Sequence, residues 1–362
     1  VLNYDDYDAL KDAFGFQTAR KLLHLWEDGK LIKDEEERNE QCFPLLRNLF
    51  PDEASFTQAL FWIRTDTAGS LVQLKDNLAQ QRMMAYVRDC EANEKPIRCI
   101  ILKSRRQGVS TRIQAMLAYR VLTIPHFEAF VVAHENRSAR EIFGMTLRML
   151  KYLPFKPELN VDRRDEIQTT FDSKYTCLTA ANEDVGRGFG SHWVHLSEIA
   201  FYPDADSLFA GLMNTIGHKP GTAVFLESTA NGVNNLFCEL WGKAVNGEND
   251  FFPIFLPWHE DAQNTMHVSP REREKILDSL SKYEAFGREK FQWSAEQIAW
   301  RRHKVRNSFG GDDTLCRQEY PSFPEEAFLV TGTPVFSMER IEELRRFTVD
   351  PAQVGVLTWA AN

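Results

Sequence analysis

The chain has 362 residues, with 43 Lys and Arg against 52 Asp and Glu and a formal net charge of -9. Its 43% hydrophobic and 26% charged content is ordinary for a globular protein; the acid excess argues against a protein coated in nucleic acid but not against a local basic grip on it. No apolar run approaches the ~20 residues that span a bilayer, the start VLNYDDYDAL is not a signal peptide, and the six cysteines show no CxxC or other ligand spacing, which predicts reduced thiols in a cytosol-like compartment.

Residues 1–65 read as helical and charged. Ala9, Leu10, Ala13, Phe14, Leu22, Leu23, Leu25 and Trp26 recur at helical spacing, and the run KDEEER at 33–38 reads as a solvated helix face or a loop. Residues 65–70 read as a turn. A helix through Met83, Met84 and Val87 follows. Gln80 within it is a candidate for reading an adenine edge, because an amide both donates and accepts; the alternative is a surface glutamine.

Next comes an apolar run around Arg98, residues 97–102, that predicts a buried strand. It leads into KSRRQGVST at 103–111, after which Ile113, Met116, Leu117 and Val121 recur at helical spacing. Strand, short polar loop with one glycine, then helix is the setting in which backbone N–H groups and a helix N-terminus bind phosphate. From Lys95 to Phe127 there are seven Lys or Arg and no Asp or Glu, a cationic stretch in an acidic chain. The loop departs from G-x-x-x-x-G-K-[ST]. The first glycine is missing and Val109 stands where the lysine would be, whereas Gly108 and Ser110 fit. Lys103, Arg105 or Arg106 can supply the missing charge from the front. Ser110 keeps the hydroxyl that would ligate Mg²⁺, with Thr111 as second choice, and Ser104 and Gln107 complete the candidate phosphate loop.

Further strands are expected at 129–133, ahead of His134, and at 175–180, with a helix from about Ser138 to Leu150 between them. The stretch 182–190 contains Gly186-Arg187-Gly188-Phe189-Gly190. Glycines there let the backbone bend around a ligand and present the guanidinium, or simply make a mobile loop. WVHLSE at 193–198 is a strand ending in an acid. Ser197 stands where P-loop NTPases carry a metal-side Asp, and Glu198 can polarise an attacking water; Glu227 is the next acid to consider. The strand at 222–226 runs into Glu227-Ser228-Thr229-Ala230, whose hydroxyls can sense a γ-phosphate or merely cap a turn. After the stretch 253–258, PIFLPW, the strand signals thin out. Residues 270–306 read as two helices ending in the basic group Arg301-Arg302-His303-Lys304-Val305-Arg306, which touches DNA or a neighbouring nucleotide, or is a solvated helix end. The last thirty residues read as one short helix and a tail.

The order and spacing of KSRRQGVST, VVAHENRSA, GRGFGSHWVHLSEIAF, FLESTANG, PIFLPW and RQEYPSFPEEAF resemble the ATPase half of the large terminase subunits of tailed bacteriophages, from about Thr67 to Phe336. The resemblance implies an α/β P-loop NTPase fold (RecA/ASCE-like), a mostly parallel sheet flanked by helices with a small helical lid. It implies domains at 1–65 (helical segment), 66–260 (ATPase core) and 261–336 (lid and linker), with 337–362 beginning a linker to an RNase H-like nuclease that this chain lacks, so no nuclease activity is expected. It implies ATP and Mg²⁺ as cofactors and a motor driving double-stranded DNA through a portal protein into a procapsid. The expected partners are a small terminase subunit and further copies of the chain, five to a ring, in the host cytoplasm without a membrane. The catalytic glutamate maps onto Glu198, the coupling motif onto Ser228-Thr229-Ala230, the adenine-side glutamine onto Gln80, and a cis arginine finger onto Arg105 or Arg106. Two other readings are a helicase-like ATPase, which needs a second RecA-like domain, and a non-catalytic nucleotide-binding assembly module.

Overall fold

The computed structural model describes residues 50–328, apart from 51, 66–68, 154–156, 158 and 182–189. The expectations for 1–49, for Gly186-Arg187-Gly188-Phe189 and for the C-terminal segment 337–362 therefore lie outside the described residues. Glu53–Leu60 forms α1, opened by Asp52, whose side chain accepts from Ser55 N at 2.7 Å. Trp62–Arg64 (β1) and Leu71–Gln73 (β2) pair antiparallel. Leu78–Ala92 is α2, started by a reciprocal capping box between Asn77 and Gln80.

The remaining strands among the described residues make one eight-stranded sheet. They are Ile97–Lys103 (β3), Glu128–Ala133 (β4), Leu159–Asp162 (β5), Glu166–Thr169 (β6), Lys174–Thr179 (β7), Trp193–Ser197 (β8), Ala223–Ser228 (β9) and Phe252–Leu256 (β10). Their spatial order is β10-β3-β9-β8-β4-β7-β6-β5. From β10 to β7 every pairing is parallel, and β6 and β5 are added antiparallel. Val109–Thr123 (α3), Asn136–Lys151 (α4), Ala205–Thr215 (α5) and Leu236–Val245 (α6) connect them. The hairpin β5–β6 escapes a sequence reading because it is short and charged, Leu159 and Ile167 being among its few apolar residues. Helices α5 and α6 have no counterpart among the sequence expectations.

The central strands read as unbroken apolar runs because both faces of the sheet are covered. All seven residues of β3 are buried. Cys99 and Ile101 pack with Phe56, Met83, Ile113 and Ile142 on the α1–α4 face, while Ile100 and Leu102 pack with Leu208, Leu212 and Phe237 on the α5–α6 face. Parallel register then sets the carboxyl ends side by side: Leu102 pairs with Ser228, and Ser197 with Glu227.

The chain falls into two compact units. The first runs to Gln263 and also includes Arg317–Phe328. That return differs from a lid spanning all of 261–336, and its reason is packing. Trp258 Nε1 donates to Ser322 Oγ at 3.0 Å, Gln318 Nε2 donates to Ala230 O at 3.3 Å, and Ala327 is fully buried in the α5–α6 core.

The described part of the second unit, Asn264–Cys316, holds Pro270–Asp278 (α7), Lys282–Phe291 (α8) and Ala295–Ser308 (α9). Three helices stand where two were expected. Ser269 with Glu272, Ser281 with Glu284 and Ser294 with Gln297 each form a capping box, so each S-x-x-E/Q restarts a helix. The basic end of α9 is partly internal. Arg302 donates to both oxygens of Glu284 at 2.7 and 2.8 Å, and Arg301 pairs with Asp313 beneath the Tyr283 ring. Two of its arginines are thus struts of this unit. Gly287 packs directly on the Trp293 ring, and a Cβ there would run into it. Gly287→Ala is expected to lower the stability of this unit by about 1–3 kcal/mol, read by chemical denaturation.

Candidate active site

The loop after β3 is held from beneath and from the sides before any ligand is considered. Ser104 N donates to Leu256 O at 3.0 Å. Gln107 Nε2 donates to Ser104 Oγ at 2.5 Å and to Pro257 O at 3.1 Å. Asn77 Nδ2 donates to Gln107 O at 3.1 Å, and Gln80 Nε2 donates to Gly108 O at 2.8 Å. Gln80 Oε1 meanwhile accepts from Asn77 N at 2.9 Å. The amide of Gln80, expected at an adenine edge, is instead buried and committed on both ends to clamping the loop. The capping box that starts α2 is therefore also the loop's brace.

Gly108 is the N-cap of α3 at φ 73°, ψ 9°, and no side chain caps that helix. Its first-turn N–H groups are thus left to an anion. A Cβ at Gly108 would sit 2.8 Å from Gln80 Nε2 in a left-handed conformation. Gly108→Ala is expected to cost about 1–2 kcal/mol from the backbone alone and to weaken nucleotide binding, both readable from thermal melts with and without ATP. Val109 turns into the core and offers only its backbone. The Thr111 hydroxyl points to Met145 Sδ at 3.8 Å. Ser110 is thus the hydroxyl at the site, and Thr111 is not.

Of the three front cations, the structure separates Lys103 from the arginines. Lys103 ends β3, is buried, and places Nζ 2.8 Å from Glu198 Oε1 and 3.9 Å from Glu227 Oε2. Burial pushes its pKa down, but the two carboxylates outweigh burial and hold it above the ordinary lysine value. Arg105 is half exposed and forms a two-pronged pair with Glu319, whose carbonyl also accepts from Arg105 N at 3.3 Å. Arg106 is exposed and left-handed at φ 65°.

Glu198 follows β8 at φ 57° and caps a short 3-10 turn, Ile199–Phe201. Its Oε1 takes Lys103, and its Oε2 accepts from Thr229 N at 3.0 Å, Ser228 Oγ at 3.2 Å and Thr229 Oγ1 at 3.5 Å. One carboxylate therefore joins the phosphate-loop lysine to Ser228-Thr229. Ser228 Oγ also accepts from Ala200 N at 3.3 Å, and the backbone of Ala230 accepts from Gln318. The open side of Glu198 faces a cavity of about 390 Å³ that Arg105, His134, Arg137 and Thr229 also line. A larger hollow, about 770 Å³, lies at the opposite ends of the strands around Tyr86, Arg98 and Phe252, away from these groups.

Glu227, a reserve acid by sequence, stands at the buried centre of the site. It is fully buried, and its Oε1 accepts from Ser110 Oγ, from Ser197 Oγ at 3.0 Å and from His195 Nε2 at 3.1 Å. Burial raises its pKa, but the charge of Lys103 and the hydrogen bonds from His195 and Ser110 outweigh burial and bring it to about 2. Behind it, Gln114 Nε2 donates to His195 Nδ1 at 2.9 Å, and Gln114 Oε1 accepts from Tyr175 OH at 2.6 Å. The imidazole proton is accordingly on Nε2, facing Glu227. The available sequence signal is an acid directly after an apolar run; what it lacks is the pairing of β9 with β8 that sets Glu227 opposite Ser197.

No group of three or more His, Cys, Asp or Glu side chains able to hold a metal occurs among the described residues. A divalent ion here would be shared with phosphates and water, as Mg²⁺ usually is. The residues present fit that arrangement: the hydroxyl of Ser110 lies against a carboxylate whose second oxygen, Glu227 Oε2, is buried without a hydrogen-bond partner.

A phosphate-type loop between the first parallel strand and its helix, with acids at the tips of neighbouring strands, is the architecture of a P-loop NTPase. Neither a protein-family model nor a curated protein matches the chain. Solved structures do. The large terminase ATPase domain of Thermus phage P74-26 aligns at 16% identity over 69% of this chain and 99% of that one, with a TM-score of 0.43. The HK97 bacteriophage large terminase aligns at 14% identity over 76% of this chain and 53% of that one, with a TM-score of 0.47. The large terminase of a thermophilic bacteriophage in complex with ADP aligns at 13% identity over 59% of this chain and 52% of that one, with a TM-score of 0.41. The chain thus matches about half the length of the two large terminases. Among the described residues no helix is long and apolar enough to cross a membrane.

Proposed function

We propose that this chain is the ATPase motor of a phage terminase large subunit, hydrolysing ATP to move double-stranded viral DNA into a procapsid. The observation that supports it most is the double attachment of Glu198, to Lys103 on one oxygen and to Thr229 N and Ser228 Oγ on the other. A group that touches both the loop and the segment after β9 can link the state of a γ-phosphate to movement of the following chain.

In this reading the phosphates lie on residues 104–111, against the first-turn N–H groups of α3, with Lys103 neutralising them from below. Mg²⁺ supplies charge stabilisation to the phosphates when bound, with Ser110 on its side of the site. Glu198 orients the attacking water once Lys103 has turned to the phosphates. Ser228 and Thr229 then exchange partners and pass the change to Ala230 and the segment that returns at 317–328. Arg105 acts on the γ-phosphate after leaving Glu319, and Arg106 is its exposed neighbour for the same task. Gln80 serves the nucleotide by holding the loop. The core 66–260 with the returning segment 317–328, and the helical unit 264–316, are the working parts. The partners are DNA, a portal protein, a small terminase subunit and further copies of the chain, five to a ring, in the host cytoplasm.

A helicase built on two RecA-like sheets is less well supported, because the described part of the second unit holds helices and no strand. Phosphate release from ATP and Mg²⁺, with and without double-stranded DNA of unrelated sequences, tests the proposal. ATP turnover that DNA raises regardless of sequence, and that added salt suppresses, is expected. Binding of ATP with no turnover under any of these conditions would instead favour the assembly-module reading.

A further inference from the structure

We propose that Glu227, not the residue at the tip of β8, is the metal-side acid of this nucleotide site. The inference rests on the nucleotide-binding reading above. Strand β9 lies between β3 and β8, so the side chain of Glu227 stands between the phosphate loop and Ser197. A serine at position 197 has no charge to offer a cation. Its hydroxyl donates to Glu227 Oε1 at 3.0 Å, so it steers the neighbouring acid.

The two oxygens of Glu227 differ sharply. Oε1 is anchored by Ser110 Oγ, Ser197 Oγ and His195 Nε2. Oε2 is buried with no hydrogen-bond partner, and the nearest cation is Lys103 Nζ at 3.9 Å. A buried charged oxygen left this way is costly. Lys103 does not resolve it, because its ammonium is shared with Glu198 at 2.8 Å. Two carboxylates therefore stand over one ammonium. A divalent cation beside Ser110 offsets the second negative charge and occupies the unpartnered oxygen, and hard dications favour one or two carboxylates together with substrate phosphates. The same geometry accounts for Ser197. An aspartate there would put two carboxylates side by side in a dry site, where they cannot both ionise easily. Hydroxyl and acid have exchanged strands.

The test uses the purified chain with ADP, following free Mn²⁺ by electron paramagnetic resonance and ADP affinity by calorimetry in EDTA and in Mg²⁺. Glu227→Gln keeps an accepting oxygen for Ser110, Ser197 and His195 but removes the charge. It is expected to lose the gain in ADP affinity between EDTA and Mg²⁺, read as the ratio of the two within each variant, and to bind Mn²⁺ roughly tenfold or more weakly, on the scale of disrupted metal-site support. The double exchange Ser197→Asp with Glu227→Ser is expected to recover most of the Mn²⁺ affinity. Unchanged Mn²⁺ affinity in Glu227→Gln would overturn the inference and leave Glu227 as an internal pin of the strands. If Glu227→Gln fails to fold, the exchanged variant decides, since metal affinity retained there supports the role and metal affinity lost with ADP binding intact rejects it. A wild-type chain that binds no ADP even in Mg²⁺ would instead overturn the nucleotide reading itself, and this inference with it.

Discussion

Glu198→Gln is expected to lower ATP turnover by roughly 10²–10⁴, the span that a positioned general base usually supplies, while ATP still binds. The substitution preserves length and volume, so the φ 57° backbone and the 3-10 turn that follows it need not move. What it changes is the balance of donors. Both oxygens of Glu198 now accept, one from Lys103 and the other from Thr229 N and Ser228 Oγ. A glutamine can accept on one side only, and its NH₂ must face either the ammonium or the Thr229 N–H. The loop and the Ser228-Thr229 segment would then no longer be tied through one group. Single-turnover hydrolysis measured beside fluorescent-nucleotide binding separates the two effects. Turnover equal to wild type would remove Glu198 from the chemistry and make Glu227 the acid to examine.

Lys103→Ala is expected to be the most destabilising change at the site, by about 3–5 kcal/mol, the usual cost of leaving a buried carboxylate without its partner. Glu227 is fully buried, and among the described ion pairs Lys103 is the permanent cation in its reach, since His195 faces it as a hydrogen-bond donor. Glu198 loses its 2.8 Å partner at the same time but is partly open to solvent, so most of the penalty falls on Glu227. Adding Glu227→Gln to Lys103→Ala should therefore restore part of the lost stability, a coupling that a double-mutant cycle in urea measures directly. Nucleotide affinity should fall in both variants, because the charge that replaces the missing loop lysine is gone in both. A urea midpoint unmoved by Lys103→Ala would show that the ammonium is dispensable to the fold.

Residue order alone was enough to place the strands β3, β4, β7, β8 and β9, the loop with Gly108 and Ser110, and Glu198 at a strand tip. These are local signals. A strand covered on both faces must be apolar along its length, and a loop that receives phosphate needs a glycine, a hydroxyl and a helix start in fixed succession. The restart of helices at Ser269, Ser281 and Ser294 is written just as locally, in S-x-x-E/Q.

What only the tertiary structure decided is which groups meet. Gln80 and Asn77 became braces of the loop because α2 starts beside it, and sequence distance hides that contact. Lys103 was singled out from Arg105 and Arg106 by direction: the last residue of a buried strand points among the acids, whereas Arg105 reaches outward to Glu319, 214 positions away along the chain. Glu227 was chosen by strand order. An acid on β9 is unremarkable in sequence, but once β9 lies between β3 and β8 its carboxylate stands within reach of Ser110, Ser197, His195 and Lys103 together. Side-chain type is set by the chain one residue at a time, whereas proximity is set by the order in which strands pair, and in a parallel sheet that order is free to differ from the order of the sequence.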